Sequence, residues 1–292
     1  MVSVAIATAD RPEHVRRAVE SVLSAGPAVR EVIVVDQSPD ERTRLALAEL
    51  AGRGVSYVHQ SSRGASKARN TAARGATGEY VAFLDDDVEV PPNWGDAVRR
   101  ELERLDWPDA LYGAIRAPGA PTERAALAVS TFEVDRTRVW VAPVPPSRLG
   151  YSGHMIVRRS SFLGLEGFDE RLGPGTPLHG AEDMDLNYRL LRAGLRAATT
   201  PAVWLVHHQW RRQEDIPRLL SRYNLGHSAF CAKHLLAGDR YPWRLLAIQV
   251  AGDGRMLASS LRRRSWLRAR TAAWRTAGTW QGLVRGWRTF SR

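Results

Sequence analysis

Three aspartates in a row, Asp85, Asp86 and Asp87, follow directly on the apolar run YVAFL at 80–84. Adjacent carboxylates raise one another's pKa unless a cation neutralises them, so the spacing suits a bound metal ion. An oxygen-rich set fits magnesium or manganese, ions that keep part of their shell for substrate phosphates. Acids are also ordinary in a turn after a strand, and the triplet alone leaves that reading open. A second acidic pair, Glu182 and Asp183, opens the segment GAEDMDLNYRLLRAG at 180–194. Met184, Tyr188, Leu190 and Leu191 follow in helical rhythm and Gly194 suits a C-cap, which places both acids at a helix N-terminus. The macrodipole stabilises acids there whatever their function, and it also keeps a carboxylate ionised, as a general base must be. His207 and His208 close the run PAVWLVHH. Neutral imidazole is a reasonable manganese ligand, although a histidine ending a strand is often structural.

The elements that must present these groups follow from the pattern upstream. Residues 2–7, 31–35, 55–59 and 80–84 are short β-branched or aromatic runs of the length of buried strands. Between them, 13–24 sets Val15, Val19, Val22 and Leu23 on one stripe, and 41–50 and the alanine-rich 66–76 have similar helical character. Strand and helix alternating at this spacing predict βαβ units, a parallel sheet and an α/β fold that binds its ligand beyond the carboxyl ends of the strands. Thr8, Asp10 and Arg11 stand after the first strand, Asp36 and Gln37 after the second, and the aspartates after the fourth. Neither G-x-G-x-x-G nor G-x-x-x-x-G-K-[ST] follows any of them, so phosphate must be held by another device.

At 292 residues and 44% hydrophobic, the chain is long enough for one large core or a core with an appendage. Cys231 is the only cysteine, which excludes an internal disulfide. The net charge of +11 sits almost wholly in the tail, where eleven arginines face the single acid Asp253 from Tyr241 onward. Five of the ten tryptophans, Trp243, Trp266, Trp274, Trp280 and Trp287, lie there too. Pro217 and Pro242 bracket a helical stretch, 218–236, whose Leu219, Leu220, Tyr223, Leu235 and Leu236 are expected to pack back on the domain. Arginine interleaved with tryptophan fits a basic helix lying on an anionic membrane face, or an ordinary helix with its aromatic side on the domain. The composition also describes a platform for single-stranded nucleic acid, but no RNA-module signature accompanies it and an acidic rim repels phosphate, so no nucleic acid is expected. The first residues, MVSVAIATADRP, carry no basic leader, and no apolar run approaches about 18 residues. The expected location is cytoplasmic, with peripheral contact at the inner membrane face.

Taken in order, VSVAIATADRP, EVIVVDQS, RGASKARNTAARGATGEYVAFLDDDVEVPPNW, GFDERLG and GAEDMDLNYRLLRAG resemble the family 2 glycosyltransferases with the GT-A fold, over roughly residues 2–208. The resemblance implies a Rossmann-like, mostly parallel central sheet flanked by helices, to which the composition of the tail adds a helical, basic C-terminal extension. It divides the chain into a catalytic domain at 1–210, with a nucleotide-binding half to about 115 and an acceptor-binding half from 116, and an extension at 211–292. It implies single-displacement, inverting transfer of a sugar from a nucleoside-diphosphate donor, commonly of uridine or deoxythymidine. The acceptor would be a saccharide, a lipid-linked glycan or a small molecule, and the cofactor manganese or magnesium.

By the same resemblance Thr8 and Arg11 lie near the nucleotide and Asp36 binds base or ribose. Lys67, Arg69 and Asn70 flank the nucleotide. Asp85, Asp86 and Asp87 form the D-x-D segment on the donor side, with Asp87 the direct metal ligand and Asp85 reaching ribose or metal. Asp183 is the general base with Glu182 as acceptor-side support, and His207 completes the metal shell with His208 as the alternative. The chain departs from the family at 151–159, YSGHMIVRR, where His154 replaces an expected polar amide at a position the resemblance puts near sugar and acceptor. Segment 118–146 matches nothing in the family pattern. A sugar nucleotidyltransferase is the rival enzyme, but it carries a glycine-rich loop after its first strand, and ATADRP has no glycine.

Overall fold

Val2–Thr8 (β1) and Tyr80–Leu84 (β4) run parallel at the centre of a nine-stranded sheet, and every residue of β4 is buried. The computed structural model describes residues 1–119, 126–128, 130–141, 144–262 and 264–291. Val29–Asp36 (β2) and Val55–His59 (β3) complete the parallel half, joined through helices Pro12–Leu23 (α1), Arg42–Leu47 (α2) and Ala65–Gly75 (α3). These are the expected strands and helices, displaced by a residue or two at their ends, except that the helix expected at 41–50 is α-helical only to Leu47 and finishes as a 3-10 turn at Ala48–Leu50. The other departure is β3, expected to be buried: it is the sheet edge, with Val58 exposed, because only β2 covers it.

Beyond β4 the sheet turns mixed. Val88–Glu89 (β5), helix Trp94–Arg104 (α4), Ala110–Arg116 (β6), Ala126–Ala128 (β7) and Arg138–Trp140 (β8) lead to His154–Arg158 (β9), which fits antiparallel between β4 and β6. After Arg159–Gly164 (α5) and Glu182–Arg192 (α6) comes the long strand Ala197–His207 (β10). It pairs parallel with β6 and, past an irregularity between Thr200 and Trp204, antiparallel with β5, setting His207 opposite Val88. A three-residue strand, Trp210–Arg212 (β11), pairs with β7. Side chains alternate across the sheet, so Val4 and Ile6 pack with α1 and Trp94 on one face while Ala5 and Phe83 pack with Phe162, Phe168 and Leu186 on the other.

The chain ends in Ile216–Leu236 (α7), Tyr241–Arg262 (α8) and Trp266–Phe290 (α9). Of the leucines and tyrosine expected to dock α7, Leu235 packs against the cluster of Tyr188 and Phe230, Leu219, Leu220 and Leu236 are half-buried and Tyr223 is exposed; the covered face is mainly Asn224, Leu225, Gly226, Ser228, Ala229 and Phe230. The reason is close approach. Gly278, Gly282 and Gly286 press on the backbone at Ser221, Leu225 and Ala229, so the two helices run parallel with a seam of small residues every fourth position. A seam that tight leaves no room for the large apolar side chains that a periodicity argument looks for.

Candidate active site

The three aspartates diverge, and each meets its own counter-charge. Asp86 turns inward, accepting hydrogen bonds from the Thr8 hydroxyl at 2.7 Å and from Arg11 Nη1 at 2.9 Å. Burial raises its pKa against the pull of Arg11. Asp87 takes Arg11 Nη1 at 3.0 Å on one oxygen and His207 Nε2 at 2.8 Å on the other. Burial alone would raise the Asp87 pKa, but His207 and Arg11 hold it below the usual carboxylate value. Burial would likewise lower His207, yet Asp87 and Asp85 carry the imidazole above its ordinary pKa. Asp85, the most open of the three, accepts Arg69 Nη2 at 2.7 Å. The repulsion that suggested a metal is therefore already divided among Arg11, Arg69 and His207.

A divalent ion still has a fitting donor set. Asp85, Asp87 and His207 each offer a ligand atom, all within 4.8 Å of one another, and two carboxylates with an imidazole suit manganese or magnesium. The backbone dictates which histidine joins them: β10–β5 pairing puts His207 beside the aspartates, while the His208 ring points to Glu89, its Nε2 at 3.3 Å from that carboxylate.

The second acidic site sits across Arg69, whose Nη1 donates to Glu182 Oε1 at 3.0 Å while Nη2 holds Asp85. Both acids open α6, after a turn in which His179 and Ala181 take left-handed φ values of 61° and 68°. Asp183 is half-buried and accepts the Met184 N–H at 2.6 Å. Desolvation, then repulsion from Glu182, pushes its pKa up to about 7, against the Met184 N–H, Arg69 and Ser152. A carboxylate tuned that high matches the operating range of a general base.

A family model described as glycosyl transferase family 2 matches residues 3–163. The chain belongs to that family of transferases. Among curated relatives it is 29% identical over 260 residues to the succinoglycan biosynthesis protein ExoM of Rhizobium meliloti, covering 86% of this chain and 77% of that protein. It is 28% identical over 249 residues to the O-antigen biosynthesis protein RfbC of Myxococcus xanthus, covering 78% of this chain but only 19% of that longer protein. Its structure superimposes on the mannosyltransferase PcManGT of Pyrobaculum calidifontis, solved with GDP-Man and Mn2+, with a TM-score of 0.61 over 97% of this chain and 86% of that one, at 21% identity. At that identity the likeness concerns the fold, which is GT-A with a helical C-terminal region.

In the transferase, the remaining expected residues fall into two groups. Asp36 and Lys67 stand at the rim: Asp36 is buried with its oxygens engaged by Ser38 and the Tyr57 hydroxyl, and half-buried Lys67 makes no hydrogen bond or ion pair among the described residues. Asn70 and His154 are held by the scaffold. Asn70 clasps the Phe168 backbone with both ends of its amide, at 2.8 and 2.9 Å. His154, expected near the sugar, lies in the core on β9: Trp94 Nε1 donates to its Nε2 at 3.0 Å, Nδ1 meets Ala114 O at 3.1 Å, and burial pushes its pKa down to about 4. Its β9 position, paired with Leu84, turns the ring towards α4 rather than the rim.

Sequence reasoning missed what holds α6. Asp185, fully buried, accepts Arg189 at 2.8 Å, Lys233 at 2.7 Å and His234 at 2.8 Å, the last two from α7. Despite burial these partners hold its pKa well below the carboxylate range. Gly226 of α7 packs directly on the turn before the acids: a Cβ there would stand 2.8 to 3.0 Å from the Gly180 backbone. The Asp185–Arg189 spacing of four was a legible ion pair; the contacts from α7 had no local signal. Ser130 O, 3.3 Å from His207 Nδ1, comes from the segment that matched nothing.

Proposed function

We propose that this transferase moves a sugar from a nucleoside-diphosphate sugar to a glycan or other acceptor hydroxyl, with inversion. The observation that carries the reading is the pair of acidic sites joined by Arg69: Asp85, Asp87 and His207 at the strand ends, and Asp183 with a raised pKa on the far side. Asp183 takes the acceptor proton as the acceptor oxygen bonds the anomeric carbon and the bond to the diphosphate breaks on the opposite face. Glu182 keeps Asp183 basic by repulsion and anchors Arg69. A manganese or magnesium ion on Asp85, Asp87 and His207 would neutralise the departing diphosphate. Thr8 and Arg11 fix the inward aspartate, and Asp36, Lys67 and Arg69 border the nucleotide. Residues 1–210 form the catalytic unit and 211–292 the extension, and the enzyme works in the cytoplasm.

The relatives named for succinoglycan and O-antigen biosynthesis support a glycan acceptor, and the neighbour solved with a nucleotide sugar and Mn2+ supports the cation. A thermal-shift series with UDP, dTDP and GDP, each with and without Mn2+, tests the donor side. Stabilisation by one base and only with the cation is expected; no response to any nucleotide would sink the proposal.

A further inference from the structure

The outer faces of α8 and α9 are bare. On α9, Trp266, Trp280 and Trp287 recur at multiples of seven residues, opposite the glycine seam, and are 82%, 66% and 57% exposed. Trp243, Val250 and Leu257 repeat that spacing on α8 and are exposed as well. Scattered apolar residues on a surface need no explanation, but a heptad-spaced exposed row on each of two packed helices marks a binding face.

The charge around the stripes is of one sign. Arg244, Arg255, Arg262, Arg264, Arg268 and Arg288 make no ion pair or hydrogen bond among the described residues. Asp253, the only acid beyond Tyr241, is buried against Asn224 and Arg275 and offsets none of them. Where α8 hands over to α9, an open cleft of about 550 Å³ is lined by Arg255, Met256, Ser259, Arg262 and Arg268, beside Trp266 in the chain. Among the described residues no helix is long and apolar enough to cross a membrane.

We infer that the outer face of α8 and α9 docks on an anionic lipid bilayer. The tryptophans seat at the boundary of headgroups and acyl chains, and the arginine cleft receives lipid phosphates. Indole is suited to that boundary, having an apolar body and one N–H donor, and guanidinium pairs with phosphate oxygens two bonds at a time. A second copy of the chain is a poorer occupant, because across a two-fold axis the same unpaired arginines would face one another. The inference is independent of the transfer chemistry and reaches beyond it.

Co-sedimentation of the full chain with vesicles tests it, using phosphatidylcholine alone against phosphatidylcholine mixed with phosphatidylglycerol. Binding to the anionic vesicles only, reversed by high salt and accompanied by a blue shift of tryptophan emission, is expected. The triple variant Arg255→Gln, Arg262→Gln, Arg268→Gln should weaken that binding about a hundredfold. The exposed pair Trp280→Ser, Trp287→Ser should weaken it by about tenfold or more and shrink the emission shift. Unaltered thermal melts would establish that both variants are folded. Equal sedimentation with the two kinds of vesicle, or variants that bind as the parent does, would overturn the inference. So would a dimer in free solution that Trp280→Ser dissociates without altering vesicle binding.

Discussion

The two acidic sites are built in opposite ways. Asp85, Asp86 and Asp87 leave the end of a fully buried strand, and their cationic partners come from the β1–α1 connection, from helix α3 and from β10. Glu182 and Asp183 open a helix whose preceding turn is left-handed at Ala181, and that turn is backed by α7, outside the residues the family model matches. A non-glycine residue in the left-handed region costs about 1–2 kcal/mol, which its surroundings must offset. The strand site is held by hydrogen-bonded register; the helix site is held by a neighbour. The proposed donor end thus leans on α7 only indirectly, through Arg69 and Glu182, while the proposed base is packed against it through the turn at Gly180.

Removing the proposed base should break the contrast most severely. Asp183→Asn is expected to lower kcat by about a thousandfold, the scale of general-base catalysis, with nucleotide affinity in Mn2+ unchanged. A titration calorimetry measurement beside initial rates separates the two; a variant that keeps its turnover would take Asp183 out of the role. The dependence on α7 is the next largest effect. Gly226→Ala puts a methyl group against the Gly180 backbone, and since both sides are main chain neither can yield cheaply. A displacement of Asp183 by about 1 Å should cost roughly a hundredfold in kcat while the nucleotide dissociation constant stays put. Equal loss in donor binding would mean that the two sites are not separately supported.

The legibility of the sequence follows the same division. Strand ends could be read because a short β-branched run has one length and one exit, so Thr8, Asp36 and Asp85 fall at the rim as expected. His207 could not be told from His208 by sequence, since neighbours on a strand point to opposite faces and the register with β5 decides. His154 misled because a family position was taken to carry a family environment, whereas Trp94 and Ala114 claim its ring for the core. The α7 support was invisible for a different reason. The α9-facing seam of Ser221, Leu225 and Ala229 is too small and polar to register as hydrophobic periodicity, and its partner glycines lie more than fifty residues away, while Gly226 meets Gly180 on the far side of α6 in the sequence.

The strand site has its own test, with a built-in control. His207→Ala should weaken Mn2+ binding by at least about tenfold, because a direct ligand matters no less than the outer partners whose loss costs that much. His208→Ala, whose ring faces Glu89, should leave it unchanged. Electron paramagnetic resonance of free Mn2+ reports both, and the reverse ranking would reassign the ligand. On stability, Asp185→Ala leaves Lys233 and His234 facing a buried void and should cost about 3 kcal/mol in chemical denaturation. Because the Asp185 pKa is depressed in the folded chain, its contribution is present above the unfolded aspartate value and is lost as pH falls through the folded one. The variant's deficit should therefore shrink on acidification.

The smallest effect is the sharpest for the base. The Asp183 pKa is raised to about 7 first by desolvation and then by Glu182, while Arg69 pulls it down. Glu182→Gln removes the repulsion and frees Arg69 from its 3.0 Å bond to the carboxylate, and both changes favour ionised Asp183. Below its pKa a general base is protonated and idle, so the acid limb of kcat/KM should move to lower pH in the variant, with activity kept under mildly acidic conditions where the parent loses it. The two changes have the same sign, so an acid limb that stays in place, or moves upward, would show that a different group sets it.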